Sequence, residues 1–334
     1  MIYKRMKANK LTFALVIMMS LSLISCGDDD DDDRVGNWVD RSIFDGTPRS
    51  NATAFTIGNL GYMGTGYDGD DYLKDFWAYD IEGNFWVQLA DFPGLERSAA
   101  SSFVAGNRGY MGTGFDGDNE LEDFYSYNPQ NNTWTQIADF GGGLRRSAIG
   151  FNSENTGYVG TGFDGDNDKK DFWRYNPTND TWTELIGYGG SKRRDATTFA
   201  IGTTVYIGTG ISNGVLEDDF WAFDTTNETW TELDPLDEED DYEIVRSGAS
   251  GFTINGRGYI ACGNQGAGAS KTVWEYDPSN DNWEEKTPLE KTSRENPISF
   301  YTGSRAFIAL GRSGTLYLDD SFEFFPFEEE DEDD

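Results

Sequence analysis

Clustered carboxylates are the first groups with chemical potential in this chain of 334 residues. Asp68-Gly69-Asp70-Asp71, Asp116-Gly117-Asp118-Asn119 and Asp164-Gly165-Asp166-Asn167-Asp168 recur 48 residues apart. Several oxygens on a tightly curved backbone are what a hard cation requires, so Asp68, Asp70, Asp116, Asp118, Asp164 and Asp166 are candidate calcium ligands. The pattern lacks the sixth-position Gly and twelfth-position Glu of an EF-hand loop, and Asp and Gly are common turn residues. The turn reading is preferred, with calcium kept as the one candidate cofactor.

A second set is cationic. Arg49, Arg97, Arg146, Arg194, Arg246 and Arg294 open successive units of similar length. Guanidinium forks match carboxylates, and carboxylates match sugar hydroxyls, so these arginines beside the acidic clusters would make a polar ligand face. An Arg present in every unit equally serves to tie neighbouring units together, and that architectural role is weighted first. The third set is aromatic, with 23 Phe, 17 Tyr and 10 Trp. Trp77, Trp173, Trp221 and Trp274, like Trp86, Trp134, Trp182, Trp230 and Trp283, recur and read as packing. Tyr67, Phe115 and Phe163 adjoin the acidic clusters and are the ligand-face candidates.

Missing residues narrow the chemistry. The chain has no His, which removes His-ligated zinc or copper and every Ser-His or Cys-His pair. A net charge of −34 repels phosphate backbones and excludes a nucleic-acid role. What remains must rest on carboxylates, Tyr, Lys or Arg, and no catalytic constellation of these is apparent.

The elements that position these groups are repeats. Trp38, Trp86, Trp134, Trp182 and Trp230 stand 48 residues apart, and Trp283 follows after 53, the extra residues falling in the acidic insertion at 236–241. Gly64-Thr65-Gly66, Gly112-Thr113-Gly114, Gly160-Thr161-Gly162 and Gly208-Thr209-Gly210 keep the same period. Within one unit, Ser98 to Ala105, Arg108 to Gly114, Asp123 to Asn128 and Thr133 to Ala138 read as four short antiparallel strands with Gly, Asn and Pro between them. Four strands per unit of this length predict a propeller blade. The sixth unit lacks its own Trp strand, while Trp38 stands alone near the start. The fold predicted is all-β: a six-bladed propeller over 37–327, its last blade closed by the N-terminal strand, with an acidic tail at 328–334.

Arg-Ser at the start of an inner strand, a Gly-Tyr-x-Gly strand, and Tyr79 followed seven residues later by Trp86 resemble kelch repeats over residues 38 to 326. The usual Gly-Gly doublet is replaced by Gly-Thr-Gly, and in the last two units by Cys262-Gly263 and Leu310-Gly311. The resemblance implies a galactose oxidase-like propeller fold and little about function, since propellers host unrelated activities. Galactose oxidase needs His ligands that are absent here. A sialic-acid mutarotase-like epimerase needs only carboxylate and Arg chemistry, and stands as an alternative.

The chain begins with an address. Lys4, Arg5, Lys7 and Lys10 precede an apolar stretch, Leu11 to Ile24, too short for a comfortable span and suited to a signal peptide. Leu23-Ile24-Ser25-Cys26 resembles the lipobox of bacterial lipoproteins, which implies a leader at 1–25, lipidation of Cys26 and a tether at 26–36. Asp28 to Asp33 cannot bury itself and resembles an acidic surface-export signal. With Cys26 lipidated, Cys262 has no disulfide partner. These features predict a lipid anchor in the outer membrane and a monomeric, surface-facing module for an extracellular glycan or protein. The epimerase and a structural subunit of an outer-membrane complex are the alternatives.

Overall fold

The computed structural model describes residues 34–237 and 243–331. The leader, Cys26, the acidic run and part of the 236–241 insertion lie outside the described residues. No helix among the described residues is long and apolar enough to cross a membrane.

Blade 2 shows how the sequence becomes a sheet. Ser101–Ala105, Arg108–Gly112, Phe124–Asn128 and Thr133–Ile137 pair antiparallel in chain order. Burial alternates along the inner strand: Phe103 and Ala105 are buried, while Ser102 and Val104 are half-buried on the other face. Blades 1, 3, 4 and 5 repeat this order from inner strands Thr53–Ile57, Ile149–Ser153, Thr197–Ile201 and Ser250–Ile254. Blades 4 and 6 replace the acidic loop with two-residue ribbons, Ile211–Ser212 with Val215–Leu216 and Arg312–Ser313 with Leu316–Tyr317.

Blade 6 takes three strands from the C-terminal end, Ile298–Tyr301, Ala306–Ala309 and Ser321–Phe325, and its fourth from the N-terminal end, Asn37–Asp40. Trp38 lies opposite Phe324 and stacks on it at 4.5 Å between ring centroids. Arg41 and Arg305 both bind the buried carboxylate of Glu323, so a charge cluster secures the same junction. The N-terminal strand thus closes the ring and covers the open edge of Ser321–Phe325.

The core lies between blades. Gly109 carries no side chain because the Phe55 ring of blade 1 occupies the space a Cβ would fill. Indole N–H groups add a directional tie: Trp134 donates to Ala90 O at 3.0 Å, Trp182 to Ala138 O at 3.1 Å, and Trp38 to Thr287 O at 3.2 Å. Each bond reaches the chain just beyond the preceding blade's outer strand. Repeated aromatics therefore pack blades together, as their recurrence predicts.

Candidate functional site

The end of the disc where inner strands begin is the ring face. There an arginine stands four residues ahead of each inner strand, and the six form a buried ring: Arg49, Arg97, Arg145, Arg193, Arg246 and Arg294, each 0% exposed. This corrects the sequence register in two units. Arg146 and Arg194 do not belong to the ring but follow it by one residue; the Arg-Arg doublets at 145–146 and 193–194 conceal the shift. Arg49, Arg97, Arg246 and Arg294 are members of the ring and lie sealed beneath the surface.

Each ring arginine donates Nη1–H to the carbonyl of the residue at the repeat's Thr position, at 3.0 Å for Thr65 and 2.9 Å for Thr113. That residue has φ near +60° in every blade, including Cys262 and Leu310, which turns its carbonyl toward the guanidinium. Four ring arginines also fork a carboxylate bidentately: Arg49 holds Asp75, Arg97 holds Asp123, Arg145 holds Asp171 and Arg294 holds Asp320. Arg193 holds Asp219 through Nη2. Burial works to raise the Asp75 carboxyl, but the Arg49 hydrogen bond and charge outweigh it and hold the group below its usual range.

Above this layer, the acidic loops are turns. Asp68 Oδ1 accepts the N–H groups of Asp70 and Asp71 at 2.9 and 2.8 Å, and Asp116 and Asp164 do the same for their loops. Burial opposes ionisation of Asp164, yet the Asn167 and Asp166 amides and the Lys169 ammonium bring its carboxyl down to about 2. Asp70, Asp118 and Asp166 are exposed. Among the described residues, no group of three or more His, Cys, Asp or Glu is arranged to hold a metal ion.

The ring face is not sixfold. Tyr317, Tyr67, Tyr72 and Phe115 follow one another with ring centroids 6.1, 4.8 and 5.8 Å apart. The Arg146 guanidinium lies 4.6 Å from the Phe115 centroid and 5.0 Å from that of Phe163, and Arg194 lies 5.1 Å from Phe163. Glu120 pairs with Arg146 at 3.3 Å, and Asp168 with Arg194 at 2.6 Å. The five rings, the two guanidinium groups and Glu120 are half-buried, whereas Asp168 is buried. In blades 1, 2 and 5 a serine takes the place of Arg146 and Arg194, and in blade 6 it is Glu295.

At the centre, the arc borders the channel mouth. Asn51, Ala99, Ser147, Asp195, Gly248 and Asn296 all have φ between 52° and 59°. Their backbones form a closed ring, each N–H donating to the carbonyl of the corresponding residue in the preceding blade, with Asn51 completing it through Asn296 O at 3.3 Å. The mouth they frame holds about 130 Å³, and Asp195 is the one titratable side chain lining it. Asp195 is 27% exposed, toward this narrow throat, and Arg194 Nε stands 3.9 Å from its Oδ2. Burial raises the Asp195 carboxyl above its usual range; the Ser147 hydrogen bond and the two arginine charges offset only part of this, and Asp168 adds to it. Asp195, Tyr72, Tyr317, Glu120 and Asp168 were not read as site residues from sequence. Aligning the six units would have exposed Asp195 as the one charge in a column of small or neutral residues.

The family model of the Kelch motif matches residues 114–141. Among solved structures, one titled "Structure of YjhT" superposes with a TM-score of 0.71 at 17% identity, covering 85% of this chain and 96% of that one. No curated protein matches the sequence. The chain is a six-bladed β-propeller that carries the kelch motif.

Proposed function

We propose that this chain is a surface-facing lipoprotein, held in the outer membrane through Cys26, whose propeller binds an extracellular glycan across its ring face. The one-sided arc from Tyr317 to Arg194 carries the reading. Architecture alone would repeat the same residue in every blade, as it does for the buried arginines. The arc instead combines aromatic rings, two half-exposed guanidinium groups and paired carboxylates around one mouth. That is the mixture a sugar requires: ring faces for its C–H surface, charged forks for its hydroxyls and acids. Tether and leader chemistry supports the anchor, and a rigid disc on a charged tether suits capture outside the cell.

A glycan array probed with the full chain and with Phe163→Ala tests this. Binding is expected for the parent, weakened about tenfold in the variant, a loss of about 1.4 kcal/mol. Equal binding by both, or none by the parent, contradicts it.

A second reading, a mutarotase-like epimerase, is favoured by one observation: Asp195 is a carboxylate with a raised proton affinity at the channel mouth. If it holds, Asp195→Asn keeps sugar binding and loses anomer interconversion.

A further inference from the structure

The opposite end of the channel differs from the ring face. Beyond the throat, the channel widens toward the hairpins joining first and second strands, into a cavity of about 550 Å³. This lies within the range of small-molecule sites. Its wall is asymmetric. At one position of the repeat, blade 3 contributes Asn152 and blade 6 contributes Tyr301, where blades 1, 2 and 4 place Thr56, Val104 and Ala200.

Part of the wall's hydrogen-bonding capacity is unspent. Neither the Asn152 amide nor the Tyr301 hydroxyl bonds to another described group, and both lie on the cavity wall. Ser102 and Ser299 each commit their one hydroxyl proton to a carbonyl, Ala54 O at 2.7 Å and Gly251 O at 3.0 Å, so what they offer the channel is lone pairs. A wall rich in acceptors selects a molecule that donates several hydrogen bonds. No Lys or Arg lines the cavity and Glu154 is its one charged residue, so carboxylates and phosphates are disfavoured. The Tyr301 ring supplies an apolar surface beside these groups.

We propose that the hairpin end of the channel is a second binding site, for a small uncharged polyhydroxylated molecule of monosaccharide size, held by Asn152 and Tyr301. It is independent of the ring-face reading, since the two share no residue.

Calorimetric titration of the full chain with D-galactose and D-glucose, and with D-glucuronate as the anionic counterpart, tests the site. At least one neutral hexose is expected to bind, with glucuronate at least about tenfold weaker. Asn152→Ala removes the amide from the wall and should weaken hexose binding about fivefold to tenfold. Tyr301→Phe should weaken binding to a similar degree, and Phe163→Ala should leave it unchanged. No hexose binding up to the solubility limit overturns the proposal, as does binding indifferent to both channel variants. Hexose binding lost only in Phe163→Ala also overturns it and assigns the sugar to the ring face instead.

Discussion

Asp195 occupies in blade 4 the position that Asn51, Ala99, Ser147, Gly248 and Asn296 hold in the other blades, and it adopts the same left-handed backbone. Two of those residues are Asn, so an Asn side chain fits this position without new strain. Because burial raises the Asp195 carboxyl, the folded state binds its proton more tightly than the unfolded chain does. Stability from this group is therefore greatest in acid, falls as pH climbs from the ordinary carboxylate range through the folded pKa, and stays reduced above it. Asp195→Asn should accordingly raise the melting temperature at neutral pH, with the gain vanishing in acid; a variant less stable than the parent at neutral pH would refute the assignment. At this scale the sequence was only partly readable. Tyr67, Phe115 and Phe163 stand beside conspicuous acidic clusters, whereas Tyr72 and Tyr317 gain meaning only when blades 6, 1 and 2 are brought side by side. The Arg-Arg doublets conceal which arginine is buried, because spacing alone cannot separate adjacent identical residues.

Within a blade, the buried arginine and its carboxylate clamp the inner strand to the loop before the third strand. Blade 5 departs from this. Thr272 stands where Asp75, Asp123, Asp171, Asp219 and Asp320 stand elsewhere, so Arg246 is buried without a carboxylate and is held by Cys262 O, Glu243 O and Thr272 Oγ1. Burial, only partly offset by the nearby Cys262, Glu285 and Glu243, brings its guanidinium down to about 10. The cost of burying this cation is already present, so supplying its partner differs from inserting a new ion pair. Thr272→Asp should stabilise the fold by about 1 kcal/mol, seen as a higher midpoint in urea. An unchanged or lower midpoint would show that the carbonyl cage already satisfies Arg246. Strand positions were readable because Gly, Asn and Pro punctuate every hairpin; the missing Asp was not, because Thr272 lies in a unit whose Gly-Thr-Gly signature has also changed.

For the molecule as a whole, closure joins residues far apart in sequence. Trp38 is 1% exposed between Phe324 and Thr287, and Arg41 shares Glu323 with Arg305. A single Trp outside its unit, and a last unit lacking one, made this junction visible in advance. Trp38→Ala should cost about 3–5 kcal/mol, and a chain beginning at residue 50 should melt well below the parent or aggregate through its exposed sheet edges. Equal melting temperatures would mean the ring does not depend on its N-terminal strand. The channel was not visible in this way, since its lining of small residues resembles that of any inner strand.

The ring face carries the central claim, and hydrogen–deuterium exchange of the full chain, with and without a glycan identified on the array, tests it most directly. Slower exchange on glycan addition is expected in the segments around Tyr67 to Tyr72, Phe115 to Glu120, Arg146, Phe163 to Asp168 and Arg194, with the outer strands unchanged. Protection confined to the outer strands, or to the hairpin end of the channel, would contradict the assignment of the glycan site to the arc.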